Sequence, residues 1–393
     1  MRLKVAIAGG GIGGLAAALS LSHSGADVTL FEKTSAFTEI GAGIQLGPNV
    51  TRILQGWGLL DAIRQAAAAP DCLRVRRATT GSVLGELRLG NAMTARYGAP
   101  YLTLHRADLH TVLLQAVQQT PAALHTDCAL QSFEQTAQMV SVQTNAGTQQ
   151  ADVLVGADGL WSNTRQQLLH DSPPRRTGHL AYRALIKQAD LPERLRSQSV
   201  TAWLGPSMHA VQYPVRGGEW LNVVVFVHGD VPSDFQNWNH SANAADLSSQ
   251  LMGFCPALQD MVQAAPDWRL WVMHDRPPMQ VAHQMATGRV ALLGDASHPM
   301  RPYLAQGAGM AIEDAAELGL VLGAATPAKA PAALQQYAAR RWQRNARVQA
   351  RALRNGQIFH ATGPVRWGRD VAMKLMGERL LDMPWLYGQC RSS

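Results

Sequence analysis

The chain has 393 residues, of which 47% are hydrophobic and 16% charged, enough to bury a large core and to form two domains. Its formal net charge is +7, but no basic stripe is interleaved with aromatic residues, so we expect an anionic cofactor and substrate and no nucleic-acid partner. No uninterrupted apolar run reaches the roughly 20 residues of a membrane span, so we expect a soluble protein without membrane contact.

The spacing of the cysteines matches neither a zinc site nor a disulfide framework. They are scattered at Cys72, Cys128, Cys255 and Cys390. We therefore expect no metal site and a reducing, cytoplasmic location.

The amino terminus, "LKVAIAGGGIGGLAAALSLSHSGADVTLFEK", predicts a strand over 3–8, a helix over 15–22 and a second strand over 28–31. The glycines between strand and helix let a backbone approach a pyrophosphate, and an acid after the second strand can bind a ribose. A signal peptide is the alternative, and the interrupting glycines exclude it. The predicted cofactor contacts are Gly9, Gly11, Gly13, Gly14, Glu32 and Lys33.

The middle of the chain predicts further elements of the same domain and then a change of class. An amphipathic helix starts at Ala107 after His105 and Arg106, and a third buried strand over 153–155 ends before Asp158. "SVTAWLGPSMHAVQYPV" and "EWLNVVVFVHGD" are then rich in β-branched and aromatic residues and are split by residues 216–218, which predicts an antiparallel hairpin. We expect a sheet domain inserted into a discontinuous cofactor domain.

The segment "GRVALLGDASHPMRPYLAQGAGMAIEDA" predicts a buried strand over 290–293 that ends at Gly294 and Asp295. A helix follows from about Gly307, with small residues such as Ala308 in its first turn. Such a helix start leaves N–H groups and the positive end of the dipole open to an anion or a polarised ring edge. The other interpretation is a turn followed by tight packing. The amino-terminal motif favours the interpretation in which the helix start binds a ligand.

A basic run over 339–354 predicts a helix that carries its arginines on one face, at Arg340, Arg344, Arg347, Arg351 and Arg354. A solvated face is the expected interpretation. A dimer contact or packing against the cofactor domain is the alternative, and a homodimer is one expectation that follows.

Three motifs in this order, the glycine loop with Glu32, Asp158-Gly159 and Gly294-Asp295, resemble the single-component FAD-dependent aromatic hydroxylases. These are flavoprotein monooxygenases related to p-hydroxybenzoate hydroxylase and salicylate hydroxylase, and the resemblance covers nearly the whole chain. It implies an α/β fold with a Rossmann-like FAD-binding domain of the GR2 type, an inserted antiparallel β-sheet substrate domain and a C-terminal helical segment. The expected boundaries are 1–72, 101–175 and 280–355 for FAD, 73–100 and 176–279 for substrate, and 356–393 for the helical segment.

Within that family, "GAGIQLGPNV", "YGAPYLTLHRADLH", "HPMRPYLAQGAGMAIEDAA" and "MPWLYGQ" resemble 6-hydroxynicotinate 3-monooxygenases and 3-hydroxybenzoate 6-hydroxylases. The hydroxynicotinate enzymes carry histidines at the positions of Gln45 and Tyr303, which disfavours hydroxynicotinate. The resemblance therefore implies a small aromatic acid of hydroxybenzoate, salicylate or hydroxynicotinate type as substrate.

The resemblance also implies the cofactors and their contacts. FAD would lie with its ribityl chain at Gly294 and Asp295, and the pyrimidine edge of the flavin at Gly307 and Ala308, where free N–H groups stabilise the anionic reduced ring. Arg106 would contact the phosphate or flavin region, and Asp158 the pyrophosphate and nicotinamide path. NADH or NADPH would reduce the flavin transiently, and O2 would form a C4a-hydroperoxide that hydroxylates the ring.

His209 and Tyr213 lie four residues apart on a predicted strand, so their side chains share one face, roughly 13 Å apart. The resemblance places this pair at the substrate wall. His has the pKa for proton transfer from a phenol, and Tyr can hydrogen-bond a ring hydroxyl or carboxylate. Gln45, Tyr303 and Gln306 are the further pocket candidates.

Two other function classes share the FAD motifs. A flavin oxidase or dehydrogenase would be reduced by an amine or alcohol donor without NAD(P)H. A non-catalytic flavoprotein or aromatic-ligand binder would not couple NAD(P)H oxidation to a product. A ubiquinone-pathway hydroxylase is a third alternative, and the absence of an apolar anchor in the carboxyl-terminal sequence disfavours it.

Overall fold

The computed structural model of the protein describes residues 2–38, 41–229, 240–242, 244–265 and 267–388. The first part of the chain alternates strands and helices. In chain order these are β1 Lys4–Ala8, α1 Ile12–His23, β2 Asp27–Phe31, β3 Gly43–Leu46, α2 Pro48–Gly56, α3 Leu60–Ala66, β4 Cys72–Arg77, β5 Val83–Arg88, α4 Gly90–Tyr97, β6 Leu102–His105, α5 Arg106–Gln118 and β7 Ala123–His125.

The remainder is mostly strands, followed by long helices. The elements are β8 Leu130–Gln135, β9 Val140–Thr144, β10 Gly147–Ala151, β11 Val153–Gly156, α6 Asn163–Leu169, β12 Arg175–Lys187, β13 Val200–Gly205, β14 Met208–Val215, β15 Trp220–His228, β16 His240–Ala242, α7 Ala244–Gln250, α8 Pro256–Ala264, β17 Trp268–Asp275, β18 Ala286–Thr287, β19 Val290–Leu292, α9 Gly307–Gly323, α10 Ala330–Phe359, α11 Gly363–Leu381 and α12 Pro384–Tyr387.

A six-stranded sheet forms the cofactor half, in the order β18-β19-β11-β1-β2-β7. All of its pairings are parallel except that of β18 with β19. Strands β1, β11 and β19 are almost uniformly apolar because both faces of a parallel sheet are covered. The chain packs α1 against α9 over this sheet in one large core, so the predicted α/β fold with a parallel sheet is confirmed.

An eight-stranded sheet forms the second layer, in the order β16-β17-β12-β15-β14-β13-β4-β5. The hairpin β14–β15 pairs Val215 with Trp220 through Met208 with Val227, as the two apolar runs predict. The first of those runs is nevertheless two strands, because a turn at Pro206 and Ser207 separates β13 from β14. Pro206 has no N–H for a ladder hydrogen bond, and Ser207 has a φ of 56°.

The strands of the eight-stranded sheet come from two separate parts of the sequence. Strands β4 and β5 lie within the first hundred residues, and the other strands follow β11. The expected domain boundaries at 72, 100, 175 and 279 stay a prediction. The expected start of the C-terminal segment, residue 356, lies inside α10, which continues to Phe359. Within the described part of the chain, no helix is long and apolar enough to cross a membrane.

Candidate active site

Each predicted cofactor segment follows a different strand of the parallel sheet. Gly9 follows β1, Glu32 follows β2, Asp158 lies two residues after β11, and Gly294 two residues after β19. These four strands are neighbours and run in the same direction. The segments therefore meet at the carboxyl edge, where open parallel sheets bind ligands.

The glycine loop brings its backbone close to the start of α1. A side chain at Gly9 would overlap the carbonyl of Ala157, and one at Gly14 would overlap the carbonyl of Gly9. Gly9 also has a φ of 104°. The first intrahelical bond of α1 is from Leu15 N to Gly11 O at 2.9 Å, so the earlier N–H groups of the helix remain for an anion.

The two carboxylates predicted to face the cofactor have different surroundings. Glu32 Oε2 accepts from Gly10 N at 2.7 Å, and its Oε1 accepts from Thr34 N and Oγ1, both at 2.9 Å. Glu32 therefore lies against the glycine loop. Asp158 accepts from Ser162 Oγ at 2.5 Å and from Thr164 N and Oγ1 at 3.0 and 2.9 Å, so both of its oxygens bond to the turn that leads into α6.

Helix α5 contributes one predicted residue and one that the sequence analysis missed. Arg106 begins the helix, and its N–H donates to Ala42 O at 3.0 Å. One turn later, buried His110 lies with Nε2 2.8 Å from Gly10 O. A carbonyl only accepts, so Nε2 is the donor and His110 holds the glycine loop. The spacing of four residues from Arg106 was the available signal. Lys33, by contrast, is exposed.

The start of α9 presents backbone N–H groups that the helix itself does not use. The first intrahelical bond is from Met310 N to Gln306 O at 2.8 Å, which leaves the N–H groups of Gly307 and Ala308 without intrahelical acceptors. A Cβ at Gly307 would meet nothing within 4 Å, whereas a Cβ at Gly309 would lie 2.8 Å from Gln306 Oε1 and 2.9 Å from Val50 Cγ2. Gly307 therefore faces open space.

A buried ionic network, which the sequence analysis missed, fixes the turn at Gly294 to this helix. Asp314 Oδ2 accepts from Gly294 N at 3.2 Å and from His298 Nε2 at 2.5 Å. Its Oδ1 accepts from Arg341 Nε at 2.8 Å and Asn345 Nδ2 at 2.9 Å. Burial alone would raise the pKa of Asp314, but His298 and Arg341 outweigh it and hold that pKa at about 2.

Glu313 extends the network to the start of α2. It accepts from Asn49 Nδ2 at 2.8 Å, from Arg341 Nη1 at 2.7 Å and from Arg344 at 2.6 and 2.8 Å. Asn49 Nδ2 also lies 3.1 Å from Gln306 Oε1. The expectation that Arg344 lies on a solvated face is therefore wrong, because Arg344 packs against the cofactor half and satisfies a buried carboxylate.

The inner face of the eight-stranded sheet carries the predicted pair. Directly paired residues share a face, and His209 pairs with Phe226 while Tyr213 pairs with Asn222. Both members of the predicted pair are buried. His209 and Tyr213 thus lie on one face of β14, with Val211 between them.

The Tyr213 end of this face meets the loop that leads into α2. Asn222 Oδ1 accepts from Gly43 N at 2.7 Å, and Gln45 Oε1 accepts from Tyr101 Oη at 2.5 Å. Gln45 also lies near Tyr213 and opposes the rise in the Tyr213 pKa. Burial raises the pKa of Tyr213 well above its ordinary value, against the opposing charge of Arg183, so its phenol is neutral and can donate.

Arg183 on β12 is a further missed residue. Its guanidinium carbon lies 3.7 Å from the centre of a Trp271 ring. Burial lowers the pKa of Arg183 to about 10, with Tyr213 raising it and Arg106 lowering it, and the group is still a cation at neutral pH. Its Nε is buried without a hydrogen-bond partner among the described residues.

The His209 end of the face meets the segment before α9. The His209 ring stacks on Phe226 at 4.4 Å and meets the Tyr303 ring edge-on at 4.7 Å. Burial lowers the pKa of His209 well below its ordinary value, and His360 and His179 lower it further. His209 is therefore neutral at pH 7 and can accept a proton. Tyr303 Oη lies 2.7 Å from His179 Nδ1.

The residues of this crevice fit FAD. Several buried polar atoms around it have no hydrogen-bond partner among the described residues, and they are Asn49 Oδ1, His105 Nδ1, Asn222 Nδ2, Arg183 Nε and His298 Nδ1. The first turns of α1 and α9 add N–H groups for the pyrophosphate and the flavin edge. Glu32, the glycine loop, Gly294, Asp295, Gly307 and Ala308 would hold the cofactor, and Asp295 is exposed at the carboxyl edge.

Comparison with known proteins agrees with this geometry. The sequence model of the FAD binding domain family matches residues 2–352. A 3-hydroxybenzoate 6-hydroxylase of Polaromonas naphthalenivorans is 38% identical over 391 residues, which cover 98% of this chain and 96% of the relative. A 6-hydroxynicotinate 3-monooxygenase of Pseudomonas fluorescens is 33% identical over 351 residues, with 88% and 89% covered.

A solved salicylate hydroxylase, in complex with its substrate, has the same architecture. It superposes with a TM-score of 0.84 at 28% identity, and the match covers 98% of this chain and 95% of the other. The expected resemblance and FAD as cofactor are confirmed. The chain belongs to the FAD binding domain family and, within it, to the FAD-dependent aromatic monooxygenases.

Proposed function

We propose that this monooxygenase hydroxylates a small aromatic acid that carries a ring hydroxyl, with 3-hydroxybenzoate as the first candidate. The observation that supports the proposal is the inner sheet face, which presents a neutral imidazole at His209, a phenol donor at Tyr213 and a buried cation at Arg183. These three groups match a phenol and a carboxylate on one ring. The greater identity to a 3-hydroxybenzoate hydroxylase than to a hydroxynicotinate enzyme supports the choice of ring.

Arg183 is the proposed partner of the substrate carboxylate. A buried guanidinium with an unsatisfied N–H costs free energy until an acceptor fills the site, and a carboxylate matches its planar fork. Tyr213 lies close enough to influence the pKa of Arg183, so its hydroxyl can donate to the same carboxylate. The hydroxyl of the ring is then directed along β14 toward His209.

His209 is the proposed base for that hydroxyl. Its neutral imidazole accepts the phenol proton, and the phenolate ring carbons become more nucleophilic. Phe226 and Tyr303 pack on His209 and keep water from the ring. Gly307 and Ala308 would offer N–H groups to bound FAD, which would supply the activation of O2 after reduction by NADH or NADPH.

The proposal is tested with FAD-loaded protein, NADH or NADPH, and a panel of 3-hydroxybenzoate, salicylate and 6-hydroxynicotinate. We expect hydroxylated product from 3-hydroxybenzoate, with product and NAD(P)H consumed in near-equal amounts. Flavin reduction that needs an amine or alcohol donor instead would indicate an oxidase or dehydrogenase. NAD(P)H oxidation that yields only peroxide across a wider panel of aromatic acids would contradict the proposal.

We also propose a cytoplasmic location and a homodimer. Cys72, Cys128 and Cys255 are free, buried thiols, which agrees with a reducing compartment. Light scattering on purified protein, with cell fractionation, tests both statements.

A further inference from the structure

Three histidines connect the His209 end of the sheet face to the protein surface. His209 Nδ1 lies 2.7 Å from His360 Nε2, and His360 Nδ1 lies 3.0 Å from His228 Nε2. His209 is buried on β14, His360 follows α10, and His228 is exposed at the end of β15. We call these three residues the histidine chain.

Two arrangements of protons satisfy both contacts: each ring is protonated on Nδ1 and donates outward, or each ring is protonated on Nε2 and donates inward. In the first arrangement, His209 Nε2 is an acceptor. The inner end of the chain is then His209 Nε2 and the outer end His228 Nδ1. Neither atom has a hydrogen bond to any residue that the structure describes. The inner atom is therefore available to a substrate hydroxyl, and the outer one to water.

We infer that the histidine chain carries the proton of the substrate phenol from the active site to solvent. The inference rests on the proposed function, because it requires a phenol at His209. In the transfer, the phenol O–H bond breaks and an Nε2–H bond forms on His209. The Nδ1 proton of His209 moves to His360 Nε2, that of His360 moves to His228 Nε2, and that of His228 leaves to water.

The transfer leaves a phenolate in the site, a proton in solvent and three neutral rings, each now protonated on Nε2. The original tautomers return when a solvent proton binds His228 Nδ1, each Nε2 proton moves one ring inward, and His209 Nε2 gives its proton to the phenolate oxygen of the product. No oxidant or further reactant is needed.

The lowered pKa values of the three histidines require that the phenol proton be passed on to solvent. Burial lowers the pKa of His209 well below its ordinary value and that of His360 to about 3, with neighbouring histidines and, for His360, Arg301 adding to the effect. Burial and Arg301 lower the pKa of His228 as well. A base that cannot retain a proton is useful only if the proton moves on, and a concerted shift along the chain avoids a stored positive charge.

The other groups that face the chain fit proton transfer better than metal binding. The ligand atoms of His179, His228 and His360 lie within 4.8 Å of one another. However, His179 Nδ1 contacts Tyr303 Oη, and its Nε2 lies 3.4 Å from the Arg301 guanidinium, which pairs with Asp275. A cation at that nitrogen opposes a metal ion, and the ring-to-ring contacts already occupy the nitrogens of His360.

The test follows proton release when oxidised, FAD-loaded protein is mixed with 3-hydroxybenzoate in weak buffer containing a pH indicator and a metal chelator. Wild-type protein should release a proton rapidly on binding. His228→Gln and His360→Gln should slow release by about tenfold or more, since losing one proton-transfer group typically costs about 10²–10⁴-fold. His283→Gln, an exposed histidine outside the chain, is the matched control and should release protons at the wild-type rate.

Added imidazole should restore the release rate of His228→Gln, because a small imidazole can replace an exposed side chain at the outer end. A purely structural role of His228 would not respond to imidazole. Wild-type release rates in both chain variants, or a slowed His228→Gln that imidazole does not restore, would overturn the inference. Product formation by wild-type protein with NADH and O2 is measured in parallel, so that failure of the proposed function is recognised separately.

Discussion

At the scale of single residues, the site depends on His209 as the group that meets the phenol. His209→Ala should impair hydroxylation by about 10²–10⁴-fold and NAD(P)H consumption much less, because flavin reduction does not need the base. Hydrogen peroxide should then replace product, and the measurement is the ratio of product to peroxide per NAD(P)H. Tyr213→Phe should mainly raise the apparent KM if the hydroxyl only anchors the substrate. Wild-type coupling in both variants would mean that the pair is structural.

Arg183 gives a second prediction at this scale, directed at substrate binding. Arg183→Met should raise KM for 3-hydroxybenzoate by about ten- to a hundredfold, since hydrogen bonds to charged groups contribute about 1.5–3 kcal/mol. The preference for 3-hydroxybenzoate over resorcinol, which has no carboxylate, should fall by the same factor. Arg194→Met removes an exposed arginine paired with Asp260 and should change neither value.

At the scale of elements, the start of α9 is the segment to test. Gly307→Val should leave folding of the FAD-free protein intact, because a side chain there meets open space, but should weaken FAD binding and slow reduction by NAD(P)H. Gly309→Val is the contrasting variant, since its side chain would meet Gln306 and Val50 and should destabilise the fold itself. Titration with FAD and thermal unfolding of both proteins separate the two effects. Unchanged reduction in Gly307→Val would show that this helix start only packs.

At the scale of the whole molecule, the network around Glu313 and Asp314 joins α9, α10 and the turn at Gly294. Arg341→Met removes the buried cation that pairs with both Glu313 and Asp314 and leaves Asp314 without an arginine, so it should lower the free energy of unfolding by about 3–5 kcal/mol. Arg340→Met, one residue earlier, removes a partly exposed pair with Glu317 and should cost at most about 1 kcal/mol. Equal effects in urea unfolding would contradict a buried network.

The whole molecule should also lose stability on acidification, through its histidines first. Burial lowers the pKa of His179 to about 4 and, with neighbouring cations and histidines, that of His360 to about 3. The unfolded chain binds protons at about pH 6.5, so stability should fall as the pH drops below that value and continue to fall down to the folded pKa values. Urea midpoints between pH 7.5 and 4.5 measure the slope, and His360→Gln should reduce it.

The sequence by itself determined the parallel sheet, the glycine loop and the helix that starts at Gly307. These features depend on local rules, because a buried strand, a glycine turn and an uncapped helix start are each defined by adjacent residues. The shared face of His209 and Tyr213 also follows from the two-residue period of a strand. The turn at Pro206, which divides one predicted strand into two, was not predicted from these local patterns.

The tertiary structure alone decided which distant residues complete the site. Arg341 reaches Asp314 from another helix, His110 reaches the glycine loop from α5, and Arg183 joins Tyr213 across the sheet. His360 lies about 150 residues from His209 in sequence yet within hydrogen-bond distance. No local pattern encodes such contacts, because they arise where strand register and helix packing bring separate segments together. Buried charge then makes each partner necessary, since an unpaired ion in the core is far costlier than a paired one.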